Sequence, residues 1–258
     1  MTLLPFHKYH GTGNDFIMID NREKRYNLTQ TTISALCHRR FGIGADGLIL
    51  LQETAAYDFQ MIYYNANGTE GSMCGNGGRC TVQFAKDLGL IDQKTYFLAV
   101  DGPHQASLNE GLIRLKMQDV KKIATYHDYF FVDTGSPHYV AWVDNLPQYD
   151  VFNEGKAIRN NDLFKEKGTN VNFIEKVDAC TLQVRTYERG VEDETYSCGT
   201  GVTAAALIYS LQDVPSPVQV QTKGGTLQVS FQQDSSQVFS EIYLIGPAQK
   251  VFEGTYII

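Results

Sequence analysis

A mixed α+β fold built from two similar, strand-rich halves is what the sequence predicts, and three observations carry it. Short runs of β-branched and aromatic residues recur along the whole chain, helical periodicity is confined to a few segments, and one cysteine-centred segment occurs twice. Strand-like runs bounded by Gly, Asn, Asp or Pro fall at Phe16 to Asp20, Leu48 to Leu51, Phe59 to Tyr64, Tyr96 to Val100, Leu112 to Met117, Tyr129 to Val132 and Tyr139 to Val143. The second half continues with Val171 to Ile174, Leu182 to Thr186, Val218 to Thr222, Thr226 to Phe231 and Glu241 to Ile245. Helical spacing is clearest over Thr31 to Arg40, Gly77 to Leu88 and Gly201 to Leu211, with a weaker helix before Arg159. At 258 residues the chain exceeds a typical single domain, so two domains or one large one are expected. The charged, non-periodic stretch from Gln118 to Asp128 marks the boundary, giving halves 1–120 and 121–248.

The repeated segment ties two distant parts of the chain to one role. EGSMCGNGGRCTVQFA begins at Glu70 and ETYSCGTGVTAAALIY at Glu194. In each, a Glu stands four residues before a Cys, the Cys opens a Cys-Gly-x-Gly turn, and small and apolar residues follow at helical spacing. Each half therefore presents one cysteine, Cys74 or Cys198, at a glycine-rich turn into a helix N-terminus. The expectation is pseudo-twofold symmetry with the site between the halves.

A helix N-terminus carries unpaired backbone N–H groups and a partial positive charge, so a carboxylate can dock there and a nearby thiol ionises more readily. Gly75, Gly77, Gly199 and Gly201 remove the Cβ atoms that would block that approach. Two such termini on one substrate carboxylate would place its α-carbon between two sulfurs. One thiolate would take the α-proton from one face while the opposite thiol returns a proton to the other, inverting the centre without a cofactor. Cys37, Cys80 and Cys180 lack this context and read as ordinary small apolar residues.

Composition excludes several classes. A net charge of −7 without clustered Lys and Arg argues against nucleic-acid binding. With 43% hydrophobic and 20% charged residues and no long apolar run, a membrane-spanning segment is not expected. The opening residues lack a secretory signal, which points to the cytoplasm. Five scattered cysteines without a CxxC describe reduced thiols, and His7 and His10 lack partner ligands, so no metal is expected. Gly42 to Gly47 fits GxGxxG but in the wrong context, with a helix before it and a strand after, and reads as a turn.

Eight segments in order resemble the diaminopimelate epimerase family of lysine and cell-wall precursor biosynthesis. They are HGTGNDF at 10–16, RRFGIGADG at 39–47, YNANG at 64–68, MCGNGGR at 73–79, GSPHYV at 135–140, TNVNF at 169–173, ERG at 188–190 and SCGTG at 197–201. The resemblance implies two domains, each a barrel-like sheet around a central helix, with the last strand, about 249–258, returning to the N-terminal domain. It implies a cofactor-independent isomerase that interconverts LL- and meso-diaminopimelate, working as a homodimer with Cys74 and Cys198 as the two bases. It further implies that Gly75, Asn76, Gly199 and Thr200 hold the reacting carboxylate. Asn14, Asn65, Asn170, Glu188 and Arg189 match positions that contact substrate, and His138 and Ser136 lie at supporting positions.

The sequence departs from the family pattern in three places. Ser136 stands where many members have Asn, Gly47 where some have Gln, and the segment GVEDETYS before Cys198 is one residue longer. Proline racemases share the two-cysteine logic but typically carry His where this chain has Asn76, and their substrate has no second charged head for Glu188 and Arg189. Phenazine-type isomerases lack the cysteine pair, and a noncatalytic amino-acid-binding module would need neither thiol.

Overall fold

Phe16 to Ile19 and Leu48 to Leu51 are unbroken apolar runs, a pattern that belongs to strands covered on both faces. The computed structural model, which describes residues 1–258, gives them that cover. The chain divides into two compact units, Met1–Leu115 together with Gly246–Ile258, and Lys116–Ile245. The first holds β1 (Leu3–Gly11), β2 (Asn14–Asp20), α1 (Gln30–Cys37), β3 (Gly47–Gln52), β4 (Phe59–Asn65), α2 (Gly75–Asp87), β5 (Lys94–Ala99), β6 (Gly102–Asn109) and β7 (Leu112–Lys116). The second holds β8 (Ala124–Thr125), β9 (Phe130–Asp133), β10 (Pro137–Trp142), α3 (Val151–Arg159), β11 (Asn170–Lys176), β12 (Thr181–Glu188), β13 (Asp193–Thr195), α4 (Gly199–Ser210), β14 (Val218–Thr222), β15 (Gly225–Gln233) and β16 (Phe239–Gly246). The last strand, β17 (Gln249–Ile257), joins the first unit.

The two units repeat one topology. In the first the strands lie in the order β17-β1-β2-β3-β4-β5-β6-β7, with β2/β3 and β4/β5 parallel and the other neighbours antiparallel. In the second the order is β8-β9-β10-β11-β12-β14-β15-β16, with β10/β11 and β12/β14 parallel. Parallel neighbours need a crossover, and each parallel pair is joined through a helix. Helices α1 and α3 serve the first pair of each unit, α2 and α4 the second.

The two helices of a unit have different surroundings. Ile33, Leu36 and Cys37 of α1 pack on Ile17, Ile19, Leu48 and Leu50. Helix α2 packs against β1, β2, β3, β4 and β17, and ten of its thirteen residues are buried. Helix α4 has eleven of twelve residues buried and packs on β9 to β12, β14 and β15. A helix buried on all sides must be wrapped by its sheet, so each unit is a curved sheet around a central helix. Small residues make this possible: a Cβ on Gly77 would stand 3.1 Å from Ile49 Cδ1 and 3.3 Å from Met61 Cε. In α4 the run Ala204-Ala205-Ala206 is fully enclosed.

Both central helices begin two residues earlier than glycine content predicts, at Gly75 and Gly199 rather than Gly77 and Gly201. Glycine is a poor helix former in isolation, but enclosure by the sheet overrides that preference. Strands β1 and β6 were not legible as runs, because β1 carries Pro5, His7, Lys8 and His10 and β6 opens Gly-Pro-His-Gln. Pairing on both sides, with β17 and β2, is what sets β1.

Removing Gly246–Ile258 would leave one edge of β1 unpaired from Leu3 to His10 and uncover Phe6, whose ring stands edge-on to Phe252 at 5.9 Å. Amide hydrogen exchange on that shortened chain should accelerate through β1 and β2 while α4 and β10 to β12 keep their protection. Equal acceleration in both units would contradict the division.

Candidate active site

Each central helix starts at a cysteine. Cys74 and Cys198 are the N-cap residues of α2 and α4, both with extended backbone, and neither side chain caps its own helix. No acidic residue stands in either first turn. Both helix termini therefore keep the positive end of the dipole and N–H groups that their own cap side chain does not take up. Cys74 is half-buried and Cys198 buried, and none of the five cysteines is joined in a disulfide. Burial pushes the Cys37 thiol up to about 12 and the Cys80 thiol further still, which makes both inert.

Around Cys74, Asn14 at the start of β2 reaches both the thiol and the first turn of α2. Asn14 Oδ1 accepts from Asn76 Nδ2 at 3.3 Å and from Cys74 Sγ at 3.6 Å. Asn14 Nδ2 donates to Asp46 Oδ2 at 2.7 Å. Asp46 in turn binds Arg39 at 2.6 Å, and Asp15 takes both Arg39 and Lys8 at 2.7 Å. Burial pushes the Asp15 carboxyl up, but hydrogen bonds from Arg39 and Lys8 outweigh it and bring it down to about 2. The Gly42 to Gly47 segment is the loop from α1 into β3 that delivers Asp46, with Gly44 at φ +82° and Gly42 packed on the carbonyl of Ala35. Asn65 ends β4 and opens a turn closed by Asn65 N to Thr69 O at 2.9 Å, with Gly68 at φ +80°.

Gly47 leaves room for a neighbour's ring. A Cβ there would meet Tyr63 Cε2 at 2.5 Å and Tyr64 O at 2.6 Å, and a Cβ on Gly71 would meet the same ring at 2.5 Å. Tyr63 thus fills the space that a longer side chain at position 47 would need.

Around Cys198 the framework is different. Cys198 Sγ lies 3.5 Å from Thr200 Oγ1, and the Thr200 carbonyl accepts from Thr134 Oγ1 at 2.9 Å. Asn170 Nδ2 donates to Ser136 Oγ at 2.9 Å, Arg189 Nη2 reaches the same oxygen at 3.3 Å, and Arg189 N donates to Asn170 Oδ1 at 2.9 Å. Glu188 Oε2 accepts from Thr195 Oγ1 at 2.9 Å. Ser136 thus ties Asn170 to Arg189. The segment before Cys198 opens with the turn from Glu188 to Glu192, closed by Glu192 N to Glu188 O at 2.8 Å with Gly190 at φ +90°.

His138 is fully buried in β10, and its Nδ1 pairs with Asn172 Nδ2 at 3.0 Å. Burial, with the charge of Arg189, drives it down to about 3, so the ring is neutral. Asn172 also donates to the Tyr139 carbonyl at 2.9 Å and accepts from Thr186 Oγ1 at 2.9 Å. A Cβ on Gly201 would stand 2.4 Å from Asn172 Oδ1. Asn172 is therefore a fixed floor under the first turn of α4. It lies inside TNVNF but had no role in the sequence reading, as did Asp46 in RRFGIGADG and Arg79 in MCGNGGR. Thr134, Tyr63 and Thr195 carried no sequence signal beyond position.

Strand register exposes a second repeat. Tyr64 bridges Glu70 as Tyr187 pairs Glu194, Leu48 faces Tyr64 as Val171 faces Tyr187, and Phe16 faces Gly47 as His138 faces Asn170. Asn65 is thereby equivalent to Glu188, and Thr12-Gly13-Asn14 to Thr134-Gly135-Ser136. No group of three or more His, Cys, Asp or Glu is placed to hold a metal, and no helix is long and apolar enough to cross a membrane.

Substituting Ala for Gly201 should cost about 1–3 kcal/mol in urea unfolding, because the new methyl meets a hydrogen-bonded Asn172 that cannot retreat. Acid should destabilise the protein in two stages. The folded His138 refuses a proton that the unfolded chain binds at its ordinary value of 6.5, so stability falls from there downward by a few kcal/mol at pH 4. Asp15 adds a second loss below 3.8, towards about 2. Urea unfolding between pH 8 and 4 should show the first stage, and His138→Asn should flatten it.

A sequence profile described as diaminopimelate epimerase matches residues 6–124 and 130–251. The chain is 50% identical to the diaminopimelate epimerase of Flavobacterium psychrophilum, over 98% of this chain and 100% of that protein. Its identity to the diaminopimelate epimerase of Chlorobaculum tepidum is 48%, over 95% and 98%. Among solved structures, a Bacillus anthracis phenazine biosynthesis protein of the PhzF family superimposes with TM-score 0.79 at 16% identity, covering 100% of both chains. A hydroxyproline epimerase from Agrobacterium vitis gives 0.70 at 12% identity, covering 98% of this chain and 92% of that one. These two share the fold. The profile match and the two relatives near half identity place the chain in the diaminopimelate epimerase family.

Proposed function

We propose that the chain interconverts LL- and meso-2,6-diaminopimelate by two-base proton transfer between Cys74 and Cys198, serving lysine and peptidoglycan-precursor synthesis in the cytoplasm. The observation that carries this reading is the repeated N-cap cysteine: two helices whose first turns hold no acidic residue and receive no bond from the cap side chain, in two units of one topology, in a chain of this family. One thiolate takes the α-proton as the opposite thiol gives up its own, so the centre inverts and no cofactor is needed. The N–H groups of Gly75, Asn76, Gly199 and Thr200 are the donors for the carboxylate at the reacting carbon. They stabilise the charge that builds on it as the α-proton leaves.

The non-reacting head of the substrate falls to Asn14, Asn65, Asn170, Glu188 and Arg189. Arg189 suits the distal carboxylate and Glu188 the ammonium, while the three amides offer both donors and acceptors. Ser136 and His138 act behind them, the first by holding Asn170 and Arg189, the second by fixing Asn172 beneath α4. Each unit is read as one epimerase half. A homodimer is supported by the exposed apolar side chains on β1 and β17 of the first unit: Leu3, Val251, Phe252 and Ile257 are 46–63% exposed.

Proton NMR of LL-diaminopimelate in deuterium oxide with reduced protein should show loss of the α-proton signal and growth of the meso isomer, with no exchange into proline. Cys74→Ala or Cys198→Ala should each lower turnover by at least a thousandfold with binding partly retained. Exchange into proline but not diaminopimelate would reassign the substrate, and unaltered activity in either variant would end the two-thiol reading.

A further inference from the structure

An asparagine amide carries an oxygen and a nitrogen of nearly the same shape, so packing alone does not decide which of them faces which neighbour. For Asn14 the decision falls on Asp46. Asn14 Nδ2 donates to Asp46 Oδ2 at 2.7 Å, shorter than either bond to the amide oxygen. A carboxylate ion-paired to Arg39 at 2.6 Å offers only acceptors, so the amide nitrogen must turn towards it. The oxygen then faces the other way, where it accepts from Cys74 Sγ at 3.6 Å and from Asn76 Nδ2 at 3.3 Å.

The carboxylate is itself held from several sides. Asp46 N donates to Asp15 O at 3.0 Å and to Asp15 Oδ1 at 3.1 Å, and Asp15 N returns a bond to Asp46 Oδ2 at 3.2 Å. Asp15 sits between Lys8 and Arg39, at 2.7 Å from each, and Lys8 also donates to the Gly44 carbonyl, pinning the loop that carries Asp46. A one-way series of donors thus runs from Asn76 through Asn14 to Asp46, with its polarity set at the carboxylate end. The second unit shows the contrast. Register makes Ser136 the counterpart of Asn14, and Thr169, one residue before Asn170, the counterpart of Asp46. A hydroxyl rotates to donate or accept as its neighbours require, so Ser136 needs no such partner. Thr169 Oγ1 is engaged instead with the Pro137 and Asn170 carbonyls, at 3.1 Å each. The carboxylate accompanies the amide and is missing beside the hydroxyl.

We infer that Asp46 is a positioning residue that fixes the polarity of the Asn14 amide, turning its oxygen towards the Cys74 thiol and the first turn of α2. The inference rests on the reading of Asn14 and Cys74 as site residues and deepens it, since it names the group that decides what Asn14 presents to the sulfur. Facing an oxygen, Cys74 has an acceptor for its S–H whenever it carries the proton. The reversed amide would offer N–H groups to the sulfur, and hydrogen bonds to the charged form favour that form. A thiolate held in that way is a weaker base towards an α-proton.

Amide polarity can be read through the Cys74 sulfur. In the full-length protein carrying Cys198→Ala, the rate of iodoacetamide alkylation at Cys74 is followed by mass spectrometry as a function of pH. Asp46→Leu and Asp46→Asn remove the same charge, but only the asparagine keeps an oxygen that can accept from Asn14 Nδ2 and Asp15 N. The midpoint of the alkylation profile should therefore be lower in Asp46→Leu than in Asp46→Asn by about half a pH unit or more, roughly threefold more thiolate at neutral pH. With Asn14→Ala added, the two midpoints should coincide, because no amide remains to turn. A purely structural part for Asp46 would change folding stability and would give no gap that depends on Asn14. Equal midpoints with Asn14 present, or a gap that persists without it, overturn the inference. Should Asp46→Leu fail to fold, Asp46→Ala, equally uncharged and without an acceptor, takes its place in the same comparison. No substrate enters the measurement, so a wrong substrate assignment would appear in the exchange assay and leave this result standing.

Discussion

A helix enclosed by its own sheet, with a first turn that no side chain of its N-cap residue satisfies, is the constraint on which the rest depends. Enclosure forces small residues along the helix, because a Cβ at Gly77 or Gly201 meets Ile49 or Asn172 at close range. The first turn, uncapped by the cysteine side chain, supplies N–H groups and a positive potential at the point where the cysteine sits. Glycine is needed for the packing and for close approach alike, and so the poorest helix formers occupy the start of the most buried helices. Neither demand is met by local propensity; both are met by strands on every side.

The same scaffold is dressed differently in the two units. Register places Asn65 against Glu188 and Asn14 against Ser136, and counting from the N-caps places Arg79 against Thr203. Equivalent backbone positions therefore carry different chemistry, an amide against a carboxylate, an amide against a hydroxyl, and a guanidinium against a hydroxyl. The first unit fixes its contacts through charge, with Lys8, Arg39, Asp15 and Asp46 behind Asn14. Beneath α4 the second uses neutral bonds, with Asn172 joined to His138, Tyr139 and Thr186.

Much of this was legible in the sequence. The repeated Glu-to-Cys segments located both helix starts, and the structure gives each Glu the same strand-pairing place opposite a Tyr. Unbroken runs such as Leu48 to Leu51 announced strands covered on both faces, and the reversed context of Gly42 to Gly47 identified a loop. What escaped was whatever depends on a partner far away in sequence. β1 reads as irregular because its pairing with β17 is invisible locally, and the role of Gly47 depends on the ring of Tyr63. Arg79 looks like a surface residue until the sheet closes over it.

The return of β17 to the edge of β1 also sets an order of assembly. Unit two is made of one continuous stretch of chain, so all of its strands are synthesised before β17. Unit one, although β1 precedes every strand of unit two in the chain, must wait for the nine-residue β17 to complete its ladder. The half that is made first is therefore finished last, and until then β1 presents an open edge to whatever is nearby.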